Sequence, residues 1–197
     1  MNSNTDRNPT PRLEGKVAVV SGAGTYGGSG VGNGAAAAIL MAREGAKIVL
    51  VDAEKQWADA TRAIIEEEEG GEAITATANV TDSEDCRKAI DAAVERFGGV
   101  HILHNNVGGG AGSGSVVEAT EESWQASMSI NLMSMINMSR YAIPHMASSG
   151  GGAIINVSSV TALRPKAGRS SAPYTVNKSA VVGLTRAMAL DHAEENV

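Results

Sequence analysis

Five short apolar runs alternate with longer segments of helical pattern, and this alternation limits the folds open to the 197-residue chain. The runs cover residues 16–20, 47–52, 73–80, 100–105 and 153–157. Each is almost continuously apolar rather than alternating, which is typical of strands that are covered on both faces. Because helices separate consecutive strands, we expect an α/β fold with a doubly wound parallel sheet of five strands in the order 3-2-1-4-5.

Helical segments are predicted at residues 34–43, 57–69, 121–146 and 174–194, with a further helix that runs to Phe97. Thr81 and Glu84 have the spacing of a capping box, which predicts the start of that further helix. Pro144 is expected to kink or end the long helix in which it lies. Residues 1–12 are polar and contain two prolines, so we interpret them as a disordered tail before one domain of residues 13–197.

Charge and composition exclude several classes of protein. The net charge is −6, so the chain has no basic field that would attract the phosphates of a nucleic acid. No apolar run approaches the roughly 18 residues that a membrane span requires, and we expect no membrane partner. The first residues lack the apolar stretch of a signal peptide, which predicts a cytoplasmic protein.

The residue types that usually hold metals are sparse. Cys86 is the only cysteine, which excludes an intrachain disulfide and a cysteine-based zinc site. His101 and His104 are three residues apart on a predicted strand and therefore lie on opposite faces. His145 and His192 have no partner at a metal-binding spacing, so we predict no metal site.

A glycine-rich segment, residues 21–34, joins the first strand to the first helix. In this architecture a dinucleotide's pyrophosphate lies at that junction, where the helix N-terminus supplies N–H donors and glycines let the backbone approach closely. Gly22 and Gly24 match the start of the fingerprint, while several registers fit the rest. Asp52 follows Gly34 by 18 residues, the spacing of the carboxylate that binds the adenosine ribose. A carboxylate there repels a 2′-phosphate, so the sequence favours NAD over NADP.

Tyr174 and Lys178 are four residues apart at the start of the last helix and share one face of it. A free phenol has a pKa near 10 and is a poor base at neutral pH, but a neighbouring ammonium stabilises the phenolate. Such a tyrosine can exchange a proton with an alcohol oxygen while a hydride moves at the carbon atom. On its own this spacing is common among exposed helix pairs, so its context decides its meaning.

Motifs along the chain resemble, in their order, those of the short-chain dehydrogenase/reductase family. The resemblance covers roughly residues 13–197, and its motifs are Ser21-Gly22 with the glycine loop, Asp52, Asn79-Val80, Asn105-Asn106-Val107-Gly108, Asn131, Ile155-Asn156-Val157-Ser158-Ser159 and Tyr174-Thr175-Val176-Asn177-Lys178. It implies a Rossmann-type domain and an NAD-dependent oxidoreductase that interconverts a small secondary alcohol and a ketone. It also implies a homodimer or homotetramer, because family members commonly pair through the long helix and the last helix.

The resemblance further implies a role for each matching residue. Tyr174 is the expected acid/base, and Lys178 is its charged partner and a ligand of the nicotinamide ribose. Ser159 is expected to bind the substrate oxygen, with Ser158 as its rival, and Asn131 to help hold a water linked to the lysine. The expected cofactor contacts are Gly22, Gly24, Gly32, Asn33, Gly34, Asp52, Asn79, Val80 and Asn106, together with Tyr174 and Lys178.

Two departures from the family pattern affect these expectations. Counting back from the end of the first helix places the last loop glycines at Gly32 and Gly34, which leaves six extra residues in the turn; a rival register uses Gly30 and Gly32 with a longer helix. The chain also ends at Val197, where the family continues into a sixth and a seventh strand. The alternative function is therefore a catalytically impaired, truncated NAD-binding or oligomerising module.

Overall fold

The predicted strands are all present and form one sheet. The computed structural model describes residues 11–26, 30–110, 112–165 and 171–197, and its strands are β1 (Val17–Ser21), β2 (Lys47–Asp52), β3 (Ala73–Thr77), β4 (Ile102–Asn105) and β5 (Ala153–Asn156). They are parallel throughout and lie in the order β3-β2-β1-β4-β5, which confirms the predicted fold class. Residues 1–10 of the predicted tail lie outside the described residues.

Six α-helices are found in the described part of the chain: α1 (Asn33–Arg43), α2 (Lys55–Ala63), α3 (Ser83–Phe97), α4 (Glu121–Met128), α5 (Ser134–Ser148) and α6 (Ala172–Asp191). A π-helical turn, Ile64–Glu68, extends α2, and a second one, Ser129–Met133, joins α4 to α5. The long helix predicted over residues 121–146 is therefore interrupted by a wider turn. None of these described helices is long and apolar enough to cross a bilayer.

Helices cover both faces of the sheet, so the strand side chains divide between two cores. On one face, Val19 and Leu103 belong to a buried cluster with residues of α3 and α5. On the other face, Val20 and Leu50 pack with residues of α1 and α2. Burial of each such side chain contributes roughly 1.5–3 kcal/mol, which explains why the strand sequences are apolar without alternation.

Helix α3 begins differently from the prediction. Asp82, rather than Thr81, occupies the N-cap, and its Oδ1 accepts hydrogen bonds from the backbone N–H groups of Glu84 and Asp85 at 2.8 and 3.1 Å. Thr81 instead donates to Asn79 Oδ1 through both its N–H and its hydroxyl. Aspartate caps a helix at least as well as threonine, so the capping-box spacing alone does not show that Asp82, next to Thr81, is the N-cap.

Pro144 lies inside α5, which continues four residues further to Ser148. The proline ring removes the donor that the carbonyl group of Arg140 would otherwise meet. Both residues are exposed, so water can satisfy that carbonyl. Pro144 therefore does not end the helix.

The carboxyl ends of the five parallel strands meet at one edge of the sheet. The segments that follow them carry the residues that the motifs single out, among them Gly22 after β1, Asn79 after β3, Asn106 after β4 and Ser159 after β5. In open sheets of this kind, ligands bind outside the carboxyl ends of the strands. A ligand site is therefore expected at this edge of the sheet.

Candidate active site

Two glycines let α1 pack against the end of β1. Gly34 lies in the first turn of α1, where a Cβ atom would stand 2.1 Å from the carbonyl oxygen of Gly22, so a larger residue cannot occupy the position. Gly22 has a φ of +64°, in the left-handed region that favours glycine. Because α1 begins at Asn33 with Gly32 at its N-cap, the longer helix of the rival register is not formed.

Asn106 joins the ends of the two central strands. Its Nδ2 donates to the carbonyl oxygen of Gly22 at 3.1 Å, and its backbone N–H donates to Ser21 Oγ at 3.2 Å. A Cβ atom on Gly34 would lie 2.6 Å from the same Nδ2. The ends of β1 and β4 and the start of α1 therefore meet at this one amide.

Asp52, at the end of β2, has both carboxylate oxygens bonded to backbone N–H groups. Oδ2 accepts from Gly24 at 2.9 Å, and Oδ1 accepts from Glu54 at 3.1 Å. Gly24 is so closely packed that a Cβ atom on it would lie 2.6 Å from the Cβ atom of Trp57 and 2.7 Å from Asp52 Oδ2. These contacts fix the orientation of the carboxylate and leave each oxygen a further lone pair.

A cavity of about 290 Å³ opens at the sheet edge beside these residues. Its walls are the segments that end β1 to β4 and part of the π-turn, namely Gly22, Val51, Asp52, Ala53, Ala78, Asn79, Val80, Asn106, Val107, Gly108 and Ile130. Five of the predicted cofactor contacts are therefore part of one cavity wall. Gly24 and Gly34 do not line it but contact residues that do, Asp52 and Gly22.

Lys178 is a buried cation next to this cavity. It is only 2% exposed, and its Nζ donates a hydrogen bond to the carbonyl oxygen of Val157 at 2.8 Å. Gly108, from the cavity wall, packs against the same ammonium, since a Cβ atom there would lie 2.7 Å from Nζ. Burial lowers the pKa of Lys178, because loss of hydration disfavours the charged form.

Tyr174 lies one helical turn before Lys178 on the same face of α6. It is partly buried and belongs to the first turn of the helix, which begins at Ala172 and has Pro173 as its second residue. Proline is favoured in a first turn because its missing N–H would have no intrahelical acceptor there. The two predicted catalytic residues thus lie one turn apart in the first half of α6.

The two candidate serines after β5 make different contacts. Ser158 Oγ donates to the backbone carbonyl oxygen of Lys178 at 2.7 Å, which fastens α6 to the end of the strand. Ser159 Oγ accepts hydrogen bonds from the N–H and the hydroxyl of Thr161 at 3.3 and 2.9 Å. Because Ser159 is the acceptor in both bonds, its own hydroxyl can still donate a hydrogen bond to another oxygen atom.

Asn131 is fully buried in the π-turn between α4 and α5. Its Oδ1 accepts from the N–H of Gly109, and its Nδ2 donates to the carbonyl oxygen of the same residue, both at 3.0 Å. A Cβ atom on Gly108 would lie 3.1 Å from Oδ1, so Asn131 and Lys178 both contact this glycine. Turns of this kind are frequent at functional sites.

Ser127 and Asn177 belong to the same network, although the sequence motifs assign neither of them a role. Asn131 Nδ2 donates to the carbonyl oxygen of Ser127 at 3.1 Å and lies 3.3 Å from its hydroxyl oxygen. Asn177 Nδ2 donates to Ser127 Oγ at 3.2 Å and to the carbonyl oxygen of Pro173 at 2.8 Å. Both residues are buried. The sequence indicates their place in the network only through spacing, because Ser127 lies four residues before Asn131 and Asn177 lies four residues after Pro173.

The histidines lie apart from this site. His101 Nδ1 accepts from the backbone N–H of Val17 at 3.0 Å at the opposite edge of the sheet, and His104 is buried within β4. Burial lowers the pKa of both imidazoles, and the charge of Lys16 adds to the effect on His101. No group of three His, Cys, Asp or Glu side chains in the described ranges could hold a metal ion.

The fold and the candidate site define an α/β protein with a glycine-rich loop and a Tyr-Lys pair, and the chain is similar to known proteins. Residues 16–197 match the family model described as short chain dehydrogenase. The chain is 38% identical over 186 residues to 2,5-dichloro-2,5-cyclohexadiene-1,4-diol dehydrogenase LinX of Sphingobium indicum, covering 94% of this chain and 70% of that protein. It is 32% identical over 188 residues to 3-oxoacyl-(acyl-carrier-protein) reductase FabG of Thermotoga maritima, covering 94% and 72%.

A solved structure shows the same fold. The chain aligns with 7α-hydroxysteroid dehydrogenase complexed with NADH and 7-oxo glycochenodeoxycholic acid at a TM-score of 0.85 and 30% identity, covering 95% of this chain and 69% of that one. The chain therefore belongs to the short-chain dehydrogenase/reductase family, which confirms the resemblance. Members of the family are oxidoreductases that act on CH–OH groups with NAD or NADP.

Removal of the buried charge provides a test of the site's electrostatics. We expect Lys178→Met to raise the free energy of unfolding at about pH 7 by about 1 kcal/mol, since a buried, incompletely paired ammonium destabilises the fold. The folded state of the native protein binds this proton less tightly than the unfolded state, so native stability rises with pH from the lowered pKa up to the ordinary value near 10.4. The advantage of the methionine variant should therefore shrink as the pH approaches that value.

Urea unfolding at about pH 7 and about pH 9.5 measures this difference. Lys88→Met is the matched control, because Lys88 is exposed on α3 and its removal should change stability little at either pH. A Lys178→Met advantage that is absent at neutral pH, or that grows with pH, would contradict the interpretation.

Proposed function

We propose that the chain is an NAD-dependent oxidoreductase that interconverts a secondary alcohol and a ketone. The observation that carries the proposal is the buried ammonium of Lys178, one helical turn from Tyr174 and in contact with Gly108 of the cavity wall. A buried cation is costly to the fold, and perturbed ionisable groups of this kind cluster at functional sites. Family membership supports the same reaction class.

The residues at the sheet edge fit a dinucleotide. Gly22 and Gly34 keep side chains away from the junction of β1 and α1. The first intrahelical bond of α1 runs from Ala36 to Gly32, so the N–H groups of residues 33–35 precede it and suit a pyrophosphate. Asp52 retains lone pairs that suit ribose hydroxyls, and its charge disfavours a 2′-phosphate, which supports NAD over NADP.

The chemistry divides among four side chains. When bound, NAD accepts a hydride from the alcohol carbon or returns one to the ketone. Tyr174 takes the hydroxyl proton in oxidation and gives it back in reduction, while the Lys178 ammonium stabilises negative charge on the phenol oxygen. Ser159 donates a hydrogen bond that holds the substrate oxygen near the tyrosine. Asn131 maintains the segment that packs against the lysine.

The names of two relatives suggest where to look for a substrate. The diol dehydrogenase and the hydroxysteroid dehydrogenase are both named for alcohols on rings. We therefore propose cyclic secondary alcohols as the first substrate class to test. Binding of NADH without turnover across such a panel would instead support the alternative function, a non-catalytic NAD-binding or oligomerising module.

Tyr174→Phe tests the acid/base role. We expect turnover to fall by about 10²–10⁴-fold, the usual contribution of general acid–base catalysis. Tyr141→Phe is the matched control, because the Tyr141 hydroxyl bonds to Ser83 Oγ away from the cavity and its loss should leave turnover intact. NAD-linked turnover that survives in the Tyr174→Phe variant would show that another group carries the proton.

Asp52→Ala tests the cofactor preference. Loss of the carboxylate removes a hydrogen-bond acceptor for the ribose, and it also removes the repulsion of a 2′-phosphate. We therefore expect the ratio of the NADPH dissociation constant to the NADH dissociation constant to fall about tenfold. Asp91→Ala removes an equal charge from the exposed face of α3, where Asp91 pairs with Arg87, and should leave the ratio unchanged. Calorimetric titration measures both constants, and equal ratios in the two variants would refute the assignment.

We further propose that the chain self-associates through the groove between α4 and α6. This groove, of about 220 Å³, is lined by Glu121, Trp124, Gln125, Met128, Val176 and Asn177. Met128 and Val176 are 49% and 52% exposed there, an apolar surface that a second copy would cover.

Sedimentation at micromolar concentration tests this interface. We expect the native protein to form a dimer or tetramer, and we expect Met128→Glu to weaken that assembly. A monomer in the native protein would exclude this interface.

A further inference from the structure

The first part of the glycine loop is fastened to helix α2. Thr61, which is fully buried on α2, donates through Oγ1 to the carbonyl oxygen of Ala23 at 2.8 Å. The hydroxyl oxygens of Thr61 and Thr25 lie 2.8 Å apart. Either hydroxyl can be the donor in this second bond. One side chain of α2 therefore holds the loop on both sides of Gly24.

Trp57, one turn earlier on α2, adds two contacts. Its backbone carbonyl oxygen accepts a hydrogen bond from the N–H of Thr25 at 3.0 Å. Its ring meets the ring of Tyr26 edge-on, with centroids 4.9 Å apart and an angle of 74° between the planes. Such T-shaped pairs are favourable beyond the area that they bury. Thr25 and Tyr26 are thus held by polar and aromatic contacts with one helix.

These contacts determine the position of the Gly24 N–H. With Ala23 and Thr25 both bonded to α2, the peptide of Gly24 is held with its N–H on Asp52 Oδ2, at 2.9 Å. Trp57 and Asp52 both pack against Gly24, since a Cβ atom on it would lie 2.6 Å from the Cβ atom of Trp57 and 2.7 Å from Asp52 Oδ2. The orientation of the Asp52 carboxylate therefore depends on how firmly α2 holds the loop.

We propose that Thr61 is a positioning residue that sets cofactor affinity and the discrimination against NADPH. A glycine-rich loop without such an anchor loses much conformational freedom when a ligand orders it, and a loop already held in place avoids that loss. Thr61 acts on the cofactor through Gly24 and Asp52 rather than by contact. The inference rests on the proposed function, because it assumes that Asp52 binds the ribose of NAD.

Thr61→Val keeps the shape of the side chain and removes the hydroxyl. We expect the dissociation constant for NADH, measured by calorimetric titration of the full chain, to rise about fivefold to tenfold. The ratio of the NADPH constant to the NADH constant should fall, since the peptide whose N–H bonds to Asp52 is held less firmly. Thr61→Ser retains the hydroxyl and should restore both values to within about twofold of the native protein.

Two comparisons separate positioning from a general loss of stability. Thr75→Val removes a hydroxyl that bonds to Asp59 Oδ1 of α2 at 3.1 Å, away from the loop, and should leave both constants unchanged. In an Asp52→Ala background, Thr61→Val should have a smaller effect on the constant ratio than in the native chain, because the two residues act in series.

The outcomes distinguish this inference from the proposed function. Native protein that binds no NADH would refute the proposed function and the inference with it. Native protein that binds NADH with the expected Asp52 dependence, but whose Thr61→Val variant matches Thr75→Val in both constants, would overturn the inference alone. A Thr61→Val variant that lowers Tm without changing the constant ratio would also overturn it.

Discussion

The common direction of the five strands is the constraint on which the rest of the structure depends. Because all strands are parallel, every carboxyl end meets at one edge, and residues far apart in the chain become neighbours there. Gly22, Asp52 and Asn106 follow or end three different strands yet line one cavity. The apolar strand sequences favour this arrangement. Strands that are apolar without alternation need cover on both faces, and the helices that connect parallel strands supply it.

The buried ammonium of Lys178 shows what the half of the site that we propose for the reaction costs the fold. Among the residues that the structure describes, one backbone carbonyl, that of Val157, accepts from Nζ, so two of the three donors of the ammonium are not used by those residues. Around it the network is neutral: Asn131, Ser127 and Asn177 satisfy one another and the backbone without supplying a counter-charge. The desolvation of Lys178 is therefore only partly offset within the protein, which is the condition under which a bound substrate or cofactor gains most from the charge.

The sequence was sufficient for features that depend on local pattern. Apolar runs predicted all five strands, and the end of the first helix led to Gly34, the position at which the structure has no room for a side chain. The sequence was insufficient to identify the N-cap of α3, because Thr81 and Asp82 both have a high propensity for that position. The way in which the preceding turn approaches the helix decides between them. The sequence was also insufficient for Ser127 and Asn177, which are fifty residues apart and meet only when α4 packs against α6. Whether a polar side chain is buried depends on this packing of two helices, and no periodic pattern in the sequence indicates it.

The segment of residues 106–109 connects the two halves of the site. The half that we propose for the cofactor is held by α1 and α2, and the half that we propose for the reaction is held by α6 and the π-turn between α4 and α5. Asn106 bonds to Gly22 in the first half, while Gly108 packs against Lys178 and Gly109 bonds to Asn131 in the second. A displacement of this segment would alter both halves together, whereas a change on α2 reaches only the cofactor half. Under the proposed function, the fold therefore separates affinity for the cofactor from the placement of Tyr174 and Lys178, and one short segment after β4 is common to both.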